Sequence, residues 1–315
     1  MQTALQPNLK YSVVIPVFNE EENLPEMYRR LVAVMDRLDG PFEIVFVNDG
    51  SRDRSYEVML RLHEKDSRVK ILDFSRNFGH QIAITAGLDY ASGEAVIIMD
   101  ADLQDPPEVI PKLIEAWKSG SGVIYAVRIH RKGEGVFKLW TASGFYRLLK
   151  ILSNIEIPMD AGDFRLLDKK VVEALRDVRE RHRFVRGLIS WVGFKQTSVH
   201  YEREERLTGD TKYTLWKMIK FAIDGITSFS HVPLRLVTFL GFFCFASSFG
   251  VGCWVFYVKI FTDSAIPGWT SLSGIVLFLG GAQLLALGII GEYLGRVFDE
   301  VKNRPLYILR NTRGL

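Results

Sequence analysis

The sequence predicts an α/β fold in which helices cover both faces of a mostly parallel sheet, followed by a pair of apolar helices. Two observations support this prediction. Short β-rich runs alternate with amphipathic segments over the first part of the chain, a pattern that is typical of successive βαβ units. Two uncharged stretches, Leu236 to Val258 and Thr270 to Gly291, follow in the last third of the 315 residues.

The predicted strands end in polar residues. The strands lie in YSVVIPV, FEIVFVND, VKILDFS, AVIIMDAD and GVIYAVR, and the first four run into PVFNEEE, NDGSRD, SRNFGHQ and DADLQD. Taken alone, Asn19 and Ser51 could be helix N-caps with no role in a binding site. However, ligands of parallel sheets bind beyond the carboxyl ends of the strands, and the polar residues cluster there. The chain contains neither GxGxxG nor GxxxxGK[ST], so Rossmann-type dinucleotide binding and P-loop hydrolysis lose their main support.

The end of the fourth strand carries the most distinctive charge pattern. Five apolar residues, Ala95 to Met99, lead into Asp100, Asp102 and Asp105. Clustered carboxylates repel one another unless a cation is present. If the extended geometry continues through Ala101, Asp100 and Asp102 face one ion, and oxygen ligands suit Mg²⁺ or Mn²⁺. The alternative is a solvated acidic loop in which Asp105 caps a helix that begins at the following prolines.

The two uncharged stretches are each long enough to cross a hydrocarbon layer of about 30 Å. A buried hairpin of a soluble protein would need a very large core around them. Lys and Arg flank the pair on its outer sides, whereas the linker KIFTDSAIPGW holds one Lys and one Asp. The positive-inside rule therefore predicts a multi-pass protein with both termini in the cytoplasm. Trp254, Tyr257 and Trp269 fit an outer aromatic belt.

The remaining bulk properties exclude several classes. The net charge of +3 gives no signal for a nucleic-acid partner. Cys244 and Cys253 are nine residues apart on one predicted helix, which places them too far apart for a disulfide. The N-terminus lacks the basic and apolar regions of a secretory signal.

Several motifs together resemble a known family. VIPVFNEEENL, VNDGSRDRS, GLDYASGEAVIIMDADLQDPPE and DAGDFRLLDKK resemble the inverting GT-A glycosyltransferases of the dolichyl-phosphate mannose synthase type. With the two apolar stretches and RLTGDTKYTLWKMIKFAIDGITSFSHVPLR, the chain is most similar to bacterial polyprenyl-phosphate glycosyltransferases such as the bactoprenol glucosyltransferases. The similarity extends from about Tyr11 to Arg296.

The resemblance implies roles for individual residues. It implies that the nucleotide is bound by Pro16, Phe18, Glu20, Asp49, Asp100 and Ala101, with Asp49 near the base. It implies that Asp100 and Asp102 bind the metal and that Gln104 stands beside it. Many relatives have Tyr where this chain has Phe18, and the missing hydroxyl is expected to affect nucleotide affinity more than chemistry.

The second substrate has its own predicted residues. Arg203, Arg206 and Lys212 precede an amphipathic stretch, as in a segment that lies in the membrane interface. The resemblance implies that the RxxGxxKY pattern approaches a lipid phosphate, although a general anchor for anionic lipids is the alternative. Arg128, which ends the fifth strand, is a further candidate phosphate contact.

One further aspartate belongs to the predicted site, whereas two histidines do not. The phosphate of the acceptor is mostly dianionic at pH 7 and needs no general base. Asp163 is therefore expected to orient Arg128 or a neighbouring basic residue that binds the phosphate, rather than to remove a proton. A turn or helix-cap aspartate is the alternative. His80 and His182 are predicted to be hydrogen-bonding residues without a catalytic role.

The predicted organisation has four parts: a cytoplasmic GT-A catalytic domain at 1–202, a juxtamembrane acceptor-binding segment at 203–233, a transmembrane hairpin at 234–295 and a cytoplasmic tail at 296–315. The predicted activity is inverting transfer of a hexose, glucose from UDP-glucose, to undecaprenyl phosphate at the inner membrane, by a homo-oligomer that modifies lipopolysaccharide.

Three alternatives stay open at this point. The donor could be GDP-mannose or another UDP-sugar. A membrane scaffold without activity would not need four decorated strand ends. A processive polysaccharide synthase would normally show a QxxRW-type segment and more spans, and the sequence shows neither.

Overall fold

The computed structural model describes residues 9–128, 161–201, 232–261 and 268–315. The chain divides into two compact units. Of the described residues, one unit comprises 9–128, 161–201 and 304–315, and the other comprises 232–261 and 268–303. The predicted acceptor residues Arg203, Arg206 and Lys212 lie outside the described residues, as does most of the loop between the two apolar stretches.

The described residues of the first unit form a sheet of eight strands. Its strands are β1 (Tyr11–Val17), β2 (Phe42–Asn48), β3 (Val69–Phe74), β4 (Ala95–Ile98), β5 (Val123–Arg128), β6 (Ala161–Asp168), β7 (Gln196–Tyr201) and β8 (Leu309–Arg313). Its helices are α1 (Leu24–Met35), α2 (Ser55–Lys65), α3 (His80–Tyr90), α4 (Ile110–Lys118), α5 (Lys169–Asp177) and α6 (Val185–Trp191), and a 3₁₀ turn covers Pro107–Val109.

The sheet is mixed, although six of its eight described strands run in the same direction, as the prediction of a mostly parallel sheet implies. Its order is β7-β5-β6-β4-β1-β2-β3-β8. The strands β1 to β4 pair in parallel, but β6 is antiparallel to both β4 and β5, and β8 is antiparallel to β3. The reversal of β6 and β8 was not predicted, because both strands reach the sheet from distant parts of the sequence and period-2 patterning does not reveal the partner of a strand.

The central strands are apolar because both of their faces are covered. All seven residues of β1 and of β2 are buried. Helix α3 packs directly over β1, where a Cβ on Gly87 would lie only 2.1 Å from Val14 Cγ1. A glycine at this position therefore permits the close approach of helix and strand. The result is a rigid central sheet whose carboxyl edge carries the loops of the site.

The last residues of the chain belong to this sheet unit. The helix that precedes β8 continues to Val301, beyond the start of the tail predicted at residue 296, and β8 then pairs with the outer edge of β3. Nothing in the composition of LRNTR distinguishes it as a strand, since its side chains are mostly exposed. Its pairing covers an edge that would otherwise present unpaired backbone groups.

The second unit contains two long helices, α7 (Val232–Phe261) and α8 (Trp269–Val301). Each helix includes one of the two predicted apolar stretches and extends beyond it at both ends. Within the described residues, Phe278–Val301 is the one segment with the length and composition to cross a membrane, at a mean hydropathy of 1.3. The predicted second span at 270–291 thus overlaps this segment but starts earlier.

Candidate functional site

A cleft of about 260 Å³ opens at the carboxyl edge of the central strands. It lies beyond β1, β2, β3 and β4, which is the edge at which the sequence predicted a site. The cleft is lined by Pro16, Val17, Phe18, Glu20, Asp49, Asn77, Gly79, His80, Asp100, Ala101 and Asp102. All of the predicted nucleotide-binding residues are therefore among its lining residues.

The loops after β1 and β2 are hydrogen-bonded to each other. The backbone N–H of Asn19 donates to Ser51 Oγ at 3.1 Å, and the N–H of Arg52 donates to Asn19 Oδ1 at 2.8 Å. Asn19 adopts a positive φ of 57°, which asparagine tolerates better than most residues. These two side chains bridge neighbouring loops instead of capping helices, so the loops form one wall of the cleft.

Asp49 organises the loop between β3 and α3. Its carboxylate accepts hydrogen bonds from the backbone N–H of Phe78 at 2.7 Å and from that of Gly79 at 3.0 Å. Burial raises the pKa of Asp49, and the two amide donors oppose part of that rise. Asp49 therefore fixes the position of this loop beside the cleft.

Gly50 makes this arrangement possible. It has a positive φ of 66°, and a Cβ at this position would lie 2.5 Å from both the carbonyl carbon of Arg76 and the nitrogen of Asn77. Both contacts are with backbone, which cannot rotate away as a flexible side chain would. The loops after β2 and β3 can therefore approach each other only with glycine here.

The acidic loop leaves the strand earlier than predicted. Strand β4 ends at Ile98, so Asp100 and Asp102 lie in the following turn rather than on an extended strand. The backbone N–H of Gln104 donates to Asp102 Oδ1 at 3.2 Å, which folds the loop back on itself. The buried Leu103 has a positive φ of 59°, a strained conformation of the kind found at functional sites.

The donor set of this loop suits a divalent cation. Asp100 Oδ1 is buried and accepts no hydrogen bond among the described residues. Burial raises the pKa of Asp100 to about 6, and His80 opposes the rise while Asp163, Asp105 and Asp102 add to it. Within the described part of the chain, no group of three or more His, Cys, Asp or Glu is preformed to hold a metal. An oxygen pair that needs ligands from a substrate is typical of Mg²⁺ sites.

Asp105 does not cap a helix, so the alternative interpretation of the acidic loop is wrong on this point. It is 1% exposed, and its Oδ1 accepts a hydrogen bond from the hydroxyl of Tyr201 on β7. Pro106 stands at the N-cap of the 3₁₀ turn and provides no side-chain hydrogen bond. Asp105 therefore anchors the acidic loop to the neighbouring part of the sheet.

Asp163 reaches the cleft region because β6 is antiparallel. Arg165 of β6 pairs with Ile98 at the end of β4, so the preceding residues of β6 lie beyond the carboxyl end of β4. Asp163 is 8% exposed and accepts two hydrogen bonds from Arg186 of α6, from Nε at 2.7 Å and from Nη2 at 3.1 Å. Burial would raise the pKa of Asp163, but the charge and hydrogen bonds of Arg186 and His80 hold it well below its usual value.

The described partners of Asp163 are Arg186 and His80. The predicted contact with Arg128, which ends β5, stays a prediction, because the side chain of Arg128 lies outside the described part of the structure. Arg186 was missed because it stands in the basic run RERHRFVRG, where nothing distinguishes it from its neighbours. Arg165, buried beside this pair, donates to the carbonyl oxygen of Gly162 at 2.7 Å.

His80 is the second residue that the sequence did not assign to the site. Its Nε2 lies 3.4 Å from Asp100 Oδ1 and 3.4 Å from Asp163 Oδ2. Burial alone would lower the pKa of His80, but Asp163 and Asp100 raise it to about 9. His80 is therefore protonated at neutral pH and places one positive charge between two carboxylates.

Comparison with known proteins identifies the family to which the chain is similar. The family model described as glycosyl transferase family 2 matches residues 12–176. A Bacillus subtilis protein named uncharacterized glycosyltransferase YkcC is 55% identical over 308 residues, which cover 98% of this chain and 95% of that protein. An Escherichia coli protein named prophage bactoprenol glucosyl transferase homolog is 44% identical over 97% of this chain and 100% of its own length.

Among solved structures, glucosyl-3-phosphoglycerate synthase from Mycobacterium tuberculosis, in complex with Mn²⁺, UDP-glucose and phosphoglyceric acid, is 18% identical with a TM-score of 0.46. The match covers 70% of this chain and 78% of that one.

The contact at Gly50 gives a test of the site's architecture. We expect Gly50→Ala to displace the loop after β3, because the added Cβ cannot coexist with the backbone of Arg76 and Asn77. Hydrogen exchange measured by mass spectrometry should then show faster exchange at the amides of Phe78 and Gly79. Gly120→Ala is the matched control, since Gly120 also has a positive φ but has nothing within 4 Å of the added Cβ. Equal exchange at residues 78 and 79 in both variants would show that the close approach does not hold the loop.

Proposed function

The chain belongs to glycosyltransferase family 2 and has the GT-A α/β fold, and we propose that it transfers glucose from UDP-glucose to undecaprenyl phosphate with inversion. The observation that supports this most is the cleft at the ends of four strands, where a buried carboxylate oxygen of Asp100 accepts no hydrogen bond from the described residues. The glucosyl and lipid parts of the proposal rest on the near full-length relative that is named a bactoprenol glucosyl transferase homolog.

The nucleoside occupies the part of the cleft formed by the loops after β1 and β2 in this proposal. Pro16, Glu20 and Ala101 line the cleft. The ring of Phe18 is 44% exposed, an unusual state for a phenylalanine and one that allows stacking on a base. Asp49 shapes the neighbouring wall through its bonds to the amides of Phe78 and Gly79.

Asp100 and Asp102, with Gln104 beside them, would hold Mg²⁺ or Mn²⁺. When bound, such an ion offsets the charge that develops on the departing diphosphate. The protein contributes a loop of fixed shape. Leu103 is buried within it, and Tyr201 holds Asp105 at its far end.

Asp163 orients other groups in this proposal and does not accept a proton. An efficient general base has a pKa near the working pH, whereas the pKa of Asp163 is held well below its usual value. The acceptor needs no base, because a phosphate monoester is mostly dianionic at pH 7. Asp163 instead fixes Arg186 and His80, which are positive charges at the place where the anionic acceptor would approach.

The proposal includes a membrane-bound arrangement. Helices α7 and α8 would form a two-helix hairpin in the inner membrane, with both termini and the sheet unit in the cytoplasm. Arg128, Arg203, Arg206 and Lys212 would meet the lipid phosphate, and copies of the chain would associate as a homo-oligomer. The four-part division at residues 202, 233 and 295 belongs to the same proposal.

Transfer can be tested directly with the purified full-length protein. Radiolabelled UDP-glucose, UDP-galactose, UDP-N-acetylglucosamine and GDP-mannose are each offered with undecaprenyl phosphate and Mg²⁺, and lipid-linked label is measured. We expect the rate with UDP-glucose to exceed the others by at least about tenfold, the discrimination that a few hydrogen bonds to sugar hydroxyls provide. Transfer only from GDP-mannose would replace the donor, and no lipid-linked label from any sugar would refute the proposal.

The metal assignment predicts that transfer is lost both when either aspartate is replaced and when the metal is removed. Asp100→Asn and Asp102→Asn keep the shape of the loop but remove a charge, so transfer should fall by about 100-fold or more. Excess EDTA should have the same effect on the unsubstituted protein, and added Mn²⁺ should reverse it. Asp177→Asn, at an exposed position that ends α5, is the control and should keep full activity. Either cleft variant working normally in EDTA would contradict the assignment.

The role of Asp163 predicts a pH profile. Asp163→Asn should lower kcat/KM for the lipid acceptor by roughly 10- to 100-fold at pH 7, because it weakens the hold on Arg186 and His80. The loss should grow as the pH rises toward 9, because Asp163 helps to raise the pKa of His80 and its removal makes His80 lose its proton at a lower pH. If activity instead recovers as the pH rises, removal of a proton by Asp163 is part of the reaction.

A further inference from the structure

The end of the chain is attached to the strand that leads into the cleft. We define the tail strand as Tyr307 to Arg313, which includes β8. Its Ile308 carbonyl oxygen accepts a hydrogen bond from the N–H of Ser75 at 2.9 Å. Arg310 Nη2 donates to the carbonyl oxygens of Phe74 and Ser75, each at 3.2 Å. The tail strand therefore holds the last residue of β3 and the first residue of the loop that follows.

A row of aromatic rings continues this contact toward the cleft. The Tyr307 ring stacks on Phe74 with a centroid distance of 5.3 Å and an interplanar angle of 14°. Phe74 is fully buried and meets the edge of Phe78 at 5.5 Å and 85°. Both geometries are favourable arrangements of aromatic pairs. The Tyr307 hydroxyl also donates to Asp89 Oδ2 at 2.8 Å, which fixes the outer end of the row.

The inner end of the row reaches the lining of the cleft. Phe78 donates its N–H to Asp49, and its neighbours Asn77 and Gly79 line the cleft directly. Asn77 Nδ2 also donates to the carbonyl oxygen of Asp49 at 3.1 Å. The loop thus has two supports: Asp49 on the side of the cleft and the ring row on the side of the tail strand.

We propose that Tyr307 is a positioning residue for nucleotide binding and acts through Phe74 and Phe78 on the loop after β3. The inference rests on the proposed function, because it takes the ligand of this half of the cleft to be a nucleoside diphosphate. A tail strand that only covered the edge of β3 would stabilise the fold without changing affinity for one substrate. The location of the contact at the end of β3, next to two lining residues, favours the positioning role.

The experiment measures the dissociation constant of UDP for the full-length protein by calorimetry in Mg²⁺ buffer. Tyr307→Ala removes the stacked ring and should weaken UDP binding roughly threefold to tenfold, the range expected for one aromatic pair. Tyr307→Phe keeps the stack on Phe74 and loses only the bond to Asp89, which retains Arg179 at 2.8 Å. Its affinity for UDP should stay within about twofold of the unsubstituted protein.

Tyr28 provides a matched control. Its hydroxyl donates to Asp66 Oδ2 at 2.8 Å, as that of Tyr307 does to Asp89. Tyr28 and Asp66, however, belong neither to the ring row nor to the cleft lining. Both Tyr→Ala variants should lower the melting temperature, and only Tyr307→Ala should weaken UDP binding. An equal effect of Tyr28→Ala on UDP, or an unchanged affinity in Tyr307→Ala, would overturn the inference.

A double substitution tests the route. In a Phe78→Ala background, the effect of Tyr307→Ala on UDP affinity should largely disappear, because the ring row is already broken. A full, additive effect in that background would show that Tyr307 does not act through Phe78. If the unsubstituted protein binds neither UDP nor GDP, the proposed function fails together with this inference; if it binds UDP and all Tyr307 variants bind equally, only the inference fails.

Discussion

The balance of charge around one set of carboxylates determines the rest of the site. Asp49, Asp100, Asp102, Asp105 and Asp163 converge on one edge of the sheet, where burial makes each negative charge costly. Four of them accept hydrogen bonds: from loop amides at Asp49 and Asp102, from a tyrosine at Asp105, and from Arg186 at Asp163. Asp100 differs, since its buried Oδ1 accepts no hydrogen bond among the described residues and has only the charge of His80, at 3.4 Å, beside it. Asp100 Oδ1 is therefore the carboxylate oxygen of this cluster that keeps its hydrogen-bonding capacity for a ligand.

The loops that carry these groups are held by short contacts between neighbours. Asn19 and Ser51 join the loops after β1 and β2, and Gly50 allows the loop after β3 to pack against the same wall. Groups on loops hold their geometry only when such contacts restrict them. The hydrogen bonds that join three loops explain how a site carried largely on loops can keep fixed distances between its carboxylates.

The sequence predicted what local pattern can specify. The first three strands were placed to within one residue, because buried parallel strands appear as continuous apolar runs with polar ends. The same rule found Asp49, Asp100 and Asp102. It could not find Asp163's partners, because Arg186 is 23 residues from Asp163 in sequence and His80 is still more distant. Pairing of β8 with β3 was equally invisible, since the tail strand is mostly exposed and polar.

The antiparallel insertion of β6 explains why a search confined to strand ends is incomplete here. In a wholly parallel sheet, only the carboxyl ends of strands reach the ligand edge. An antiparallel strand reverses this relation and presents its first residues at that edge, so Asp163, at the third position of β6, lies beyond the end of β4. Strand β7, parallel to β5, then brings Tyr201 at its own carboxyl end to Asp105. The acidic loop is therefore bounded by the beginning of β6 and the end of β7. These two strands together fix the loop, which β4, with only four residues, supports for a short distance.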